Sequence, residues 1–320
     1  MDVFFFEAFE EEEEALRHYL PDTIEAGFTW KTIQEYGADT PPAPMISLRT
    51  QSVIPLEWGD SLKAILSRST GYDHLTKYRK DTGKDVDCGY LPLYCNRAVA
   101  EQAMLMWMAL LRKFPQQLSN FRKFHRDGLT GRETEGKSLF VVGVGYIGYE
   151  VVKIGKGLGM EVKGHDLEHK YDDVDYVGIE EGLAQADITV CAMNLTEENR
   201  GVFTRELLEK AKPGMVFVNI SRGELSPAVH LLPLVKSGHL AAVGLDAYNH
   251  EQELAVALRE GRDSEDPEVH SILELLEMDQ VICTPHNAFN TEEGVARKSS
   301  QSIDQVKEYQ ATGKFIWQVD

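Results

Sequence analysis

The sequence predicts an α/β protein made of two doubly wound parallel-sheet domains. Three observations carry that expectation. Short apolar, β-rich segments alternate with helical patterns along almost the whole chain. The length, 320 residues, suits two domains better than one. A glycine turn, Gly143-Val144-Gly145-Tyr146-Ile147-Gly148, stands where a strand pattern gives way to a helix pattern.

The elements follow in order. Val3-Phe6, Pro44-Leu48 and Leu62-Leu66 read as buried strands, with a helix over Glu10-Tyr19. The acidic run Glu10 to Glu14 reads as the solvated first turns of that helix, where negative charge suits the N-terminal dipole. A long helix is expected from about Ala98 to Phe114, apolar nearly all round and therefore buried. Its Met104, Met106 and Met108 read as core or interface filling. Asp127-Arg132 is a polar, glycine-bearing loop. From Ser138 the alternation is regular: strand Ser138-Gly143, helix Ile147-Leu158, strand Glu161-Asp166. Further strands are expected at Ile188-Met193, Met215-Ile220, Ala241-Tyr248 and Val281-Thr284. Pro233 inside Ala228-Ser237 should kink that helix or divide it into two short pieces.

Composition excludes several classes. The net charge of -19 repels phosphate backbones and argues against nucleic acid as a partner. No apolar run approaches the length of a membrane span. Val3-Phe6 is preceded by Asp2 and followed by acids, which is no secretory pattern. Cys88, Cys95, Cys191 and Cys283 lack paired metal spacing and read as reduced, buried thiols of a cytoplasmic protein; no metal is expected.

The glycine turn has the setting that makes such a motif specific. It ends the strand Leu139-Phe140-Val141-Val142 and opens a helix. Gly143 can make the tight turn, Gly145 leaves room for a pyrophosphate, and Gly148 allows close packing of helix on strand. The helix N-terminus offers backbone N–H groups to phosphates. Asp166 ends the next strand, where a carboxylate accepts ribose hydroxyls and repels a 2′-phosphate. NAD is therefore expected rather than NADP. His165 reads as incidental.

Three strand ends in the second half carry chemistry. Arg222 follows Met215-Ile220, Glu251 follows Ala241-Tyr248, and His286 follows Val281-Thr284. In open α/β sheets ligands bind at such carboxyl ends. Singly, each residue also reads as a surface or capping group. Together they supply a cation for a carboxylate, an acid/base, and a carboxylate to orient that base and favour its charged form.

These residues carry a resemblance. The segments ILSRSTGYDHL at 65-75, LPLYCNRAVAE at 91-101, VVGVGYIG at 141-148, KPGMVFVNISRGEL at 212-225, AAVGLDAYNHE at 241-251 and VICTPHNAF at 281-289 resemble the D-2-hydroxyacid dehydrogenase family. The likeness is strongest to its D-lactate and D-hydroxyisocaproate branch, which shares the 35-residue gap from Glu251 to His286. It implies a reversible, NAD-dependent reduction of a 2-keto acid to a D-2-hydroxy acid. In it Arg222 binds substrate, His286 exchanges the proton and Glu251 pairs with the histidine. It implies cofactor contacts from Gly143, Gly145, Tyr146, Ile147, Gly148, Asp166, Met193, Asn194, Ile220, Ser221 and Asp246, the last holding the nicotinamide carboxamide. Ser69, Thr70 and Gly71 match a turn that grips the substrate carboxylate, and Tyr94 a tyrosine near the substrate.

The resemblance also implies a flavodoxin-like substrate domain, 1-103 with 290-320, around an inserted Rossmann domain, 104-289, and a homodimer. A closing cleft between the domains would exclude water. Asn287 and Asn290 depart from the branch pattern. Arg49, Thr50 and Gln51 form a polar edge after Pro44-Leu48, and Arg49 reads equally as a contact for a second acidic group and as a surface cation. A glycerate, hydroxypyruvate, dicarboxylic or aromatic substrate stays open, as does an NAD-sensing corepressor. A long phosphoglycerate dehydrogenase is disfavoured because no regulatory domain follows residue 320. Formate dehydrogenase is disfavoured because Glu251 stands where that branch carries glutamine.

Overall fold

The computed structural model describes residues 1–319 and divides into two compact units, Met1–Cys95 with Asn290–Asp320, and Asn96–Phe289. The division places the first crossing at Asn96, the start of a helix.

The first unit runs β1 (Val3–Phe5), α1 (Glu10–Tyr19), β2 (Ala26–Phe28), α2 (Ile33–Tyr36), β3 (Met45–Leu48), β4 (Ala64–Ser67), α3 (Asp73–Thr82) and β5 (Asp87–Gly89). Its five strands pair in parallel in the order β2-β1-β3-β4-β5, the flavodoxin-like winding. Val3, Phe5, Ile46, Leu48, Ile65 and Leu66 are buried, as strands covered on both faces require.

The second unit begins with α4 (Asn96–Leu111) and α5 (Phe114–Phe121). It continues β6 (Ser138–Val142), α6 (Tyr146–Gly157), β7 (Glu161–His165), β8 (Asp175–Tyr176), α7 (Ile179–Gln185) and β9 (Ile188–Cys191). Then come α8 (Arg205–Leu208), β10 (Met215–Asn219), α9 (Ala228–Lys236), β11 (Leu240–Leu245), α10 (Glu251–Glu260), α11 (Pro267–Leu276) and β12 (Val281–Cys283). The chain re-enters the first unit with α12 (Glu292–Thr312). The seven strands are all parallel, in the order β12-β11-β10-β9-β6-β7-β8. From β6 the chain winds one way to β8 and from β9 the other way to β12, so the order reverses between β6 and β9. That reversal is where a doubly wound sheet opens a crevice.

Three expectations need correction, and three short strands were not foreseen. The long helix does not reach Phe114: Lys113 takes a left-handed φ of 52°, and a new helix starts at Phe114 with Pro115 in its first turn. Helix α9 runs unbroken through Pro233. The proline forfeits one main-chain bond, but Ala228, Leu231, Leu232, Leu234 and Val235 are buried, and the carboxylate of Glu268 accepts the N–H groups of Ala228 and Val229 at the helix start. The strands β2, β5 and β8, two or three residues each, escaped a periodicity reading that needs longer runs. The acidic run is not wholly solvated: Glu12 is buried, because it meets Arg68 at 2.8 Å and Lys298 at 2.9 Å.

Candidate active site

The glycine turn lies at the end of β6, beside the reversal. Gly143 adopts φ 92°, and a Cβ there would lie 2.4 Å from the Met193 backbone. A Cβ on Gly148 would lie 1.9 Å from the Gly143 carbonyl oxygen. Both positions admit only glycine. Gly145 differs: a Cβ would meet no protein atom within 4 Å, so the turn opens on free space at the N-terminus of α6. A pyrophosphate fits that space, with the helix N–H groups to receive it. Tyr146 is half exposed beside it, its ring under Lys170 Nζ at 4.1 Å. Ile147 follows in the first turn of α6.

Asp166 follows β7. Its Oδ2 accepts the Val144 N–H at 2.7 Å and its Oδ1 the Glu168 N–H at 3.2 Å. The carboxylate thereby ties the end of β7 to the turn. His165 is not idle either, since its Nδ1 meets the Val177 carbonyl at 2.9 Å. Across the reversal the Ser221 hydroxyl donates to the Met193 carbonyl, joining the ends of β9 and β10. The Asn194 carbonyl accepts the Asn199 amide at 2.7 Å, and Ile220 is buried. The expected cofactor residues thus line adjoining strand ends.

Arg222 follows β10. A Cβ on Gly223 would lie 1.9 Å from the Asn249 nitrogen and 2.0 Å from the Tyr248 carbonyl carbon. Only a glycine there lets the loop after β10 touch the loop after β11, which places Arg222 beside the segment that starts α10 with Glu251. Glu251 Oε2 lies 2.8 Å from His286 Nδ1, both side chains about a quarter exposed. Two residues next to or within the pair hold left-handed backbones, His250 at φ 55° and His286 at φ 51°. Such conformations cost about 1–3 kcal/mol for bulky residues and need local support.

Asp246 gives that support to His286. Its Oδ1 accepts the Thr284 hydroxyl at 2.6 Å and the Asn287 N–H at 2.9 Å; its Oδ2 accepts the Ala288 N–H at 2.9 Å. The buried carboxylate clamps the loop on both sides of His286. Burial raises its pKa, opposed by those hydrogen bonds. The resemblance assigned Asp246 to the nicotinamide carboxamide; nothing in the sequence pointed to the clamp. His250 plays a similar part: its Nδ1 meets Asp266 Oδ2 at 2.7 Å, and Asp266 Oδ1 caps α11.

The expected substrate residues of the first unit sit on its own strand ends. After β4, the Ser69 hydroxyl donates to the Gly71 carbonyl at 2.7 Å, and the Thr70 hydroxyl to the Leu91 carbonyl at 3.3 Å. Tyr94 is buried, and burial pushes its pKa well up. After β3, the Arg49 guanidinium lies 5.2 Å from the Phe9 ring centroid. Glu7 was missed. Buried at φ 54°, it accepts the N–H groups of Arg49 at 2.8 Å and Gln51 at 3.1 Å and so shapes the polar edge. A glutamate directly after an apolar strand was the available signal.

Residues 104–288 match the model of the D-isomer specific 2-hydroxyacid dehydrogenase NAD binding domain. The chain belongs to the D-isomer specific 2-hydroxyacid dehydrogenases. A D-lactate dehydrogenase of Streptococcus agalactiae is 28% identical over 299 residues, covering 90% of this chain and 89% of that protein. The 2-hydroxyacid dehydrogenase A of Aspergillus oryzae is 30% identical over 263 residues, 80% of this chain and 74% of that one. Among solved structures, D-2-hydroxyisocaproate dehydrogenase superposes with a TM-score of 0.84 at 23% identity, covering 100% of this chain and 99% of that chain. The D-lactate dehydrogenase of Aquifex aeolicus, complexed with NAD and lactic acid, gives 0.83 at 24% identity over 98% and 99%. At these identities the two structures speak for the fold. The dehydrogenase is thus an NAD-dependent oxidoreductase that interconverts D-2-hydroxy acids and 2-keto acids.

Proposed function

We propose that this dehydrogenase reduces a small 2-keto acid of the pyruvate class, with Arg222, His286 and Glu251 as its reacting group. The observation that carries the reading is the 2.8 Å pair of Glu251 and His286, set in the same unit as the glycine turn. A guanidinium can hold a carboxylate by parallel hydrogen bonds and stabilise negative charge developing on the neighbouring carbonyl oxygen. Arg222 takes that part. With Nδ1 bound to Glu251, His286 uses Nε2 to protonate the forming alkoxide, and in the reverse direction to remove the hydroxyl proton. Glu251 fixes the tautomer and stabilises the imidazolium. The bound nicotinamide supplies or accepts the hydride. Gly143, Gly145, Tyr146, Ile147, Gly148, Asp166, Met193, Asn194, Ile220 and Ser221 hold the cofactor. Asp246 holds the His286 loop and spends most of its acceptor capacity there.

Ser69, Thr70, Gly71 and Tyr94 bind the substrate carboxylate. A second reading, a dicarboxylic 2-keto acid, draws on Arg49, whose backbone Glu7 pins and whose guanidinium rests on Phe9. A screen of NADH oxidation with pyruvate, hydroxypyruvate, 2-ketoglutarate, oxaloacetate and phenylpyruvate separates the two. Pyruvate is expected to give the highest kcat/KM; a dicarboxylate in first place replaces the first reading with the second, and no turnover removes both.

The working form is a homodimer in a reducing cytoplasm. On α5, Phe114, Leu118 and Phe121 are exposed at spacings of four and three, with Phe124 and, on α4, Leu105 also exposed. An apolar stripe of that kind marks an interface, and a symmetric contact with a second copy covers both stripes at once. All four cysteines are free thiols. No helix among the described residues is long and apolar enough to cross a membrane.

A further inference from the structure

Lys298 occupies a buried position on α12. Its side chain is 2% exposed, and Nζ lies 2.9 Å from Glu12 Oε2. The other Glu12 oxygen receives Arg68 Nε at 2.8 Å. Arg68 donates onward to the Ser47 hydroxyl at 3.1 Å and to the Phe6 carbonyl at 2.6 Å. Arg49 acts electrostatically on both Glu12 and Lys298. Arg68 and Lys298 therefore pair with Glu12, and Arg49 adds a third positive charge to the cluster. The other buried acid of this region, Glu7, is taken up by the N–H groups of Arg49 and Gln51. The cluster carries an excess of positive charge.

Stability alone does not account for such a cluster. Burying ions costs desolvation, and apolar residues of similar volume often serve as well or better. Its position is more telling. Arg68 directly precedes the Ser69-Thr70-Gly71 turn. Lys298 Nζ lies 6.0 Å from the centroid of the Tyr94 ring, and the neighbouring Arg297 Nε donates to the Tyr94 carbonyl at 2.8 Å. Helix α12 thus grips Tyr94 at its ring and its backbone, while Glu12 links the helix to the residue that leads into the turn.

We propose that Lys298, joined to Glu12, is a positioning residue for substrate binding: it holds Tyr94 and the 69–71 turn together and adds the positive potential that draws a 2-keto acid anion to them. The assignment rests on the function proposed above, in which those residues bind the substrate carboxylate. It concerns binding of the anion and leaves hydride and proton transfer to other groups.

The groups facing Lys298 are Glu12 from α1, Arg49 after β3, Arg68 after β4, and Tyr94 and Cys95 ahead of α4. Burial is the largest influence on the ammonium; Glu12 opposes it and the two arginines add to it, leaving the group at about 8. Below that pH the charge is present and aids binding. Above it the charge, and its aid, are lost.

The test compares wild type, Lys298→Met and Lys298→Arg across pH 6.5 to 9.5, reading KM for the best 2-keto acid, KM for NADH and kcat. Lys298→Met removes the charge, keeps the bulk and leaves Glu12 paired with Arg68. Its keto-acid KM should exceed that of wild type about tenfold at pH 7, with kcat and the NADH KM within about twofold. That ratio should shrink toward one by pH 9.5, because wild type has then lost the same charge. Taking the ratio cancels any titration common to both proteins. Lys298→Arg, charged throughout, should match wild type at pH 7 and bind more tightly than wild type at pH 9.5. A ratio that is constant across pH, or equal to one at pH 7, overturns the assignment, and an Arg variant that behaves like the Met variant does so too. Absence of wild-type turnover on every 2-keto acid overturns the proposed function and the assignment with it.

Discussion

Glu251 Oε2 and His286 Nδ1 meet at 2.8 Å although 35 residues, including two helices, separate them in the chain. The contact commits one ring nitrogen to the carboxylate and leaves Nε2 for chemistry. Glu251→Gln should therefore keep the geometry and lose the charge that favours the imidazolium. We expect kcat for keto-acid reduction to fall about 10- to 100-fold, with the NADH KM unchanged. Steady-state kinetics measure both, and an undiminished kcat would remove Glu251 from its role.

Gly145 and Gly148 make opposite demands. A Cβ on Gly148 would strike the Gly143 carbonyl oxygen, whereas one on Gly145 enters open space. Gly148→Ala should lower the melting temperature and reduce cofactor affinity together. Gly145→Ala should leave the melting temperature within about 2 °C and still weaken NADH binding, because the methyl group enters the space meant for the pyrophosphate. Thermal melts with and without NADH, and fluorescence titration, separate the two cases. Equal loss of stability in both variants would refute the distinction.

Asp246 clamps the loop of His286 through Thr284, Asn287 and Ala288. Asp246→Asn replaces an acceptor by a donor facing an N–H or a hydroxyl. The expected result is a fall in kcat of about tenfold or more, accompanied by a destabilisation of about 1–3 kcal/mol in urea unfolding. A variant of wild-type stability would show that the loop does not depend on this carboxylate.

The Glu12–Lys298 pair makes stability depend on pH at both ends of the scale. Burial opposes the charge on Glu12, but Arg68 and Lys298 outweigh it and hold the carboxyl at about 2, below its unfolded value of 4.5. Its contribution is present above pH 4.5 and is lost as pH falls toward 2. Lys298 stands at about 8 against 10.5 unfolded, so its charged form burdens the folded state below pH 8. That burden lifts as pH rises toward 10.5. Urea unfolding should show wild-type stability falling in acid more steeply than that of Glu12→Gln/Lys298→Met. The double variant should also lack the contribution that rises between pH 8 and 10.5. Parallel curves would contradict the buried pairing.

The stripe on α5 predicts a concentration-dependent dimer. Leu118→Glu with Phe121→Glu should shift sedimentation toward the monomer without unfolding the chain. An unchanged sedimentation coefficient would place the interface elsewhere.

The parts of this protein that were legible in its sequence are the local ones. The turn at Gly143-Gly148 announced itself because strand, glycines and helix are contiguous, and all the strands from Ser138 to Thr284 except β8 followed from simple alternation. Arg222, Glu251 and His286 stood out because each follows an apolar strand. What stayed hidden depends on contacts between distant segments. Five successive glutamates place a helix, yet nothing in them says that Glu12 faces Arg68, 56 positions on, and Lys298. Gly223 looks ordinary until the loops after β10 and β11 are seen to touch. The carboxylate of Asp246 serves a loop that begins 38 residues later, and Glu7 serves one 42 residues later. Pro233 misled because its cost is local while the burial and the Glu268 cap that offset it are not.

Production of D-2-hydroxy acids from NADH through His286 is the expected reaction of this chain. It is tested most directly by incubating the protein with pyruvate and NADH and resolving the product by chiral chromatography, with His286→Asn alongside. The expected product is D-lactate in amounts equal to the NADH consumed, with at least a 100-fold slower reaction in the variant. L-lactate as product, or an undiminished rate without the histidine, would contradict it.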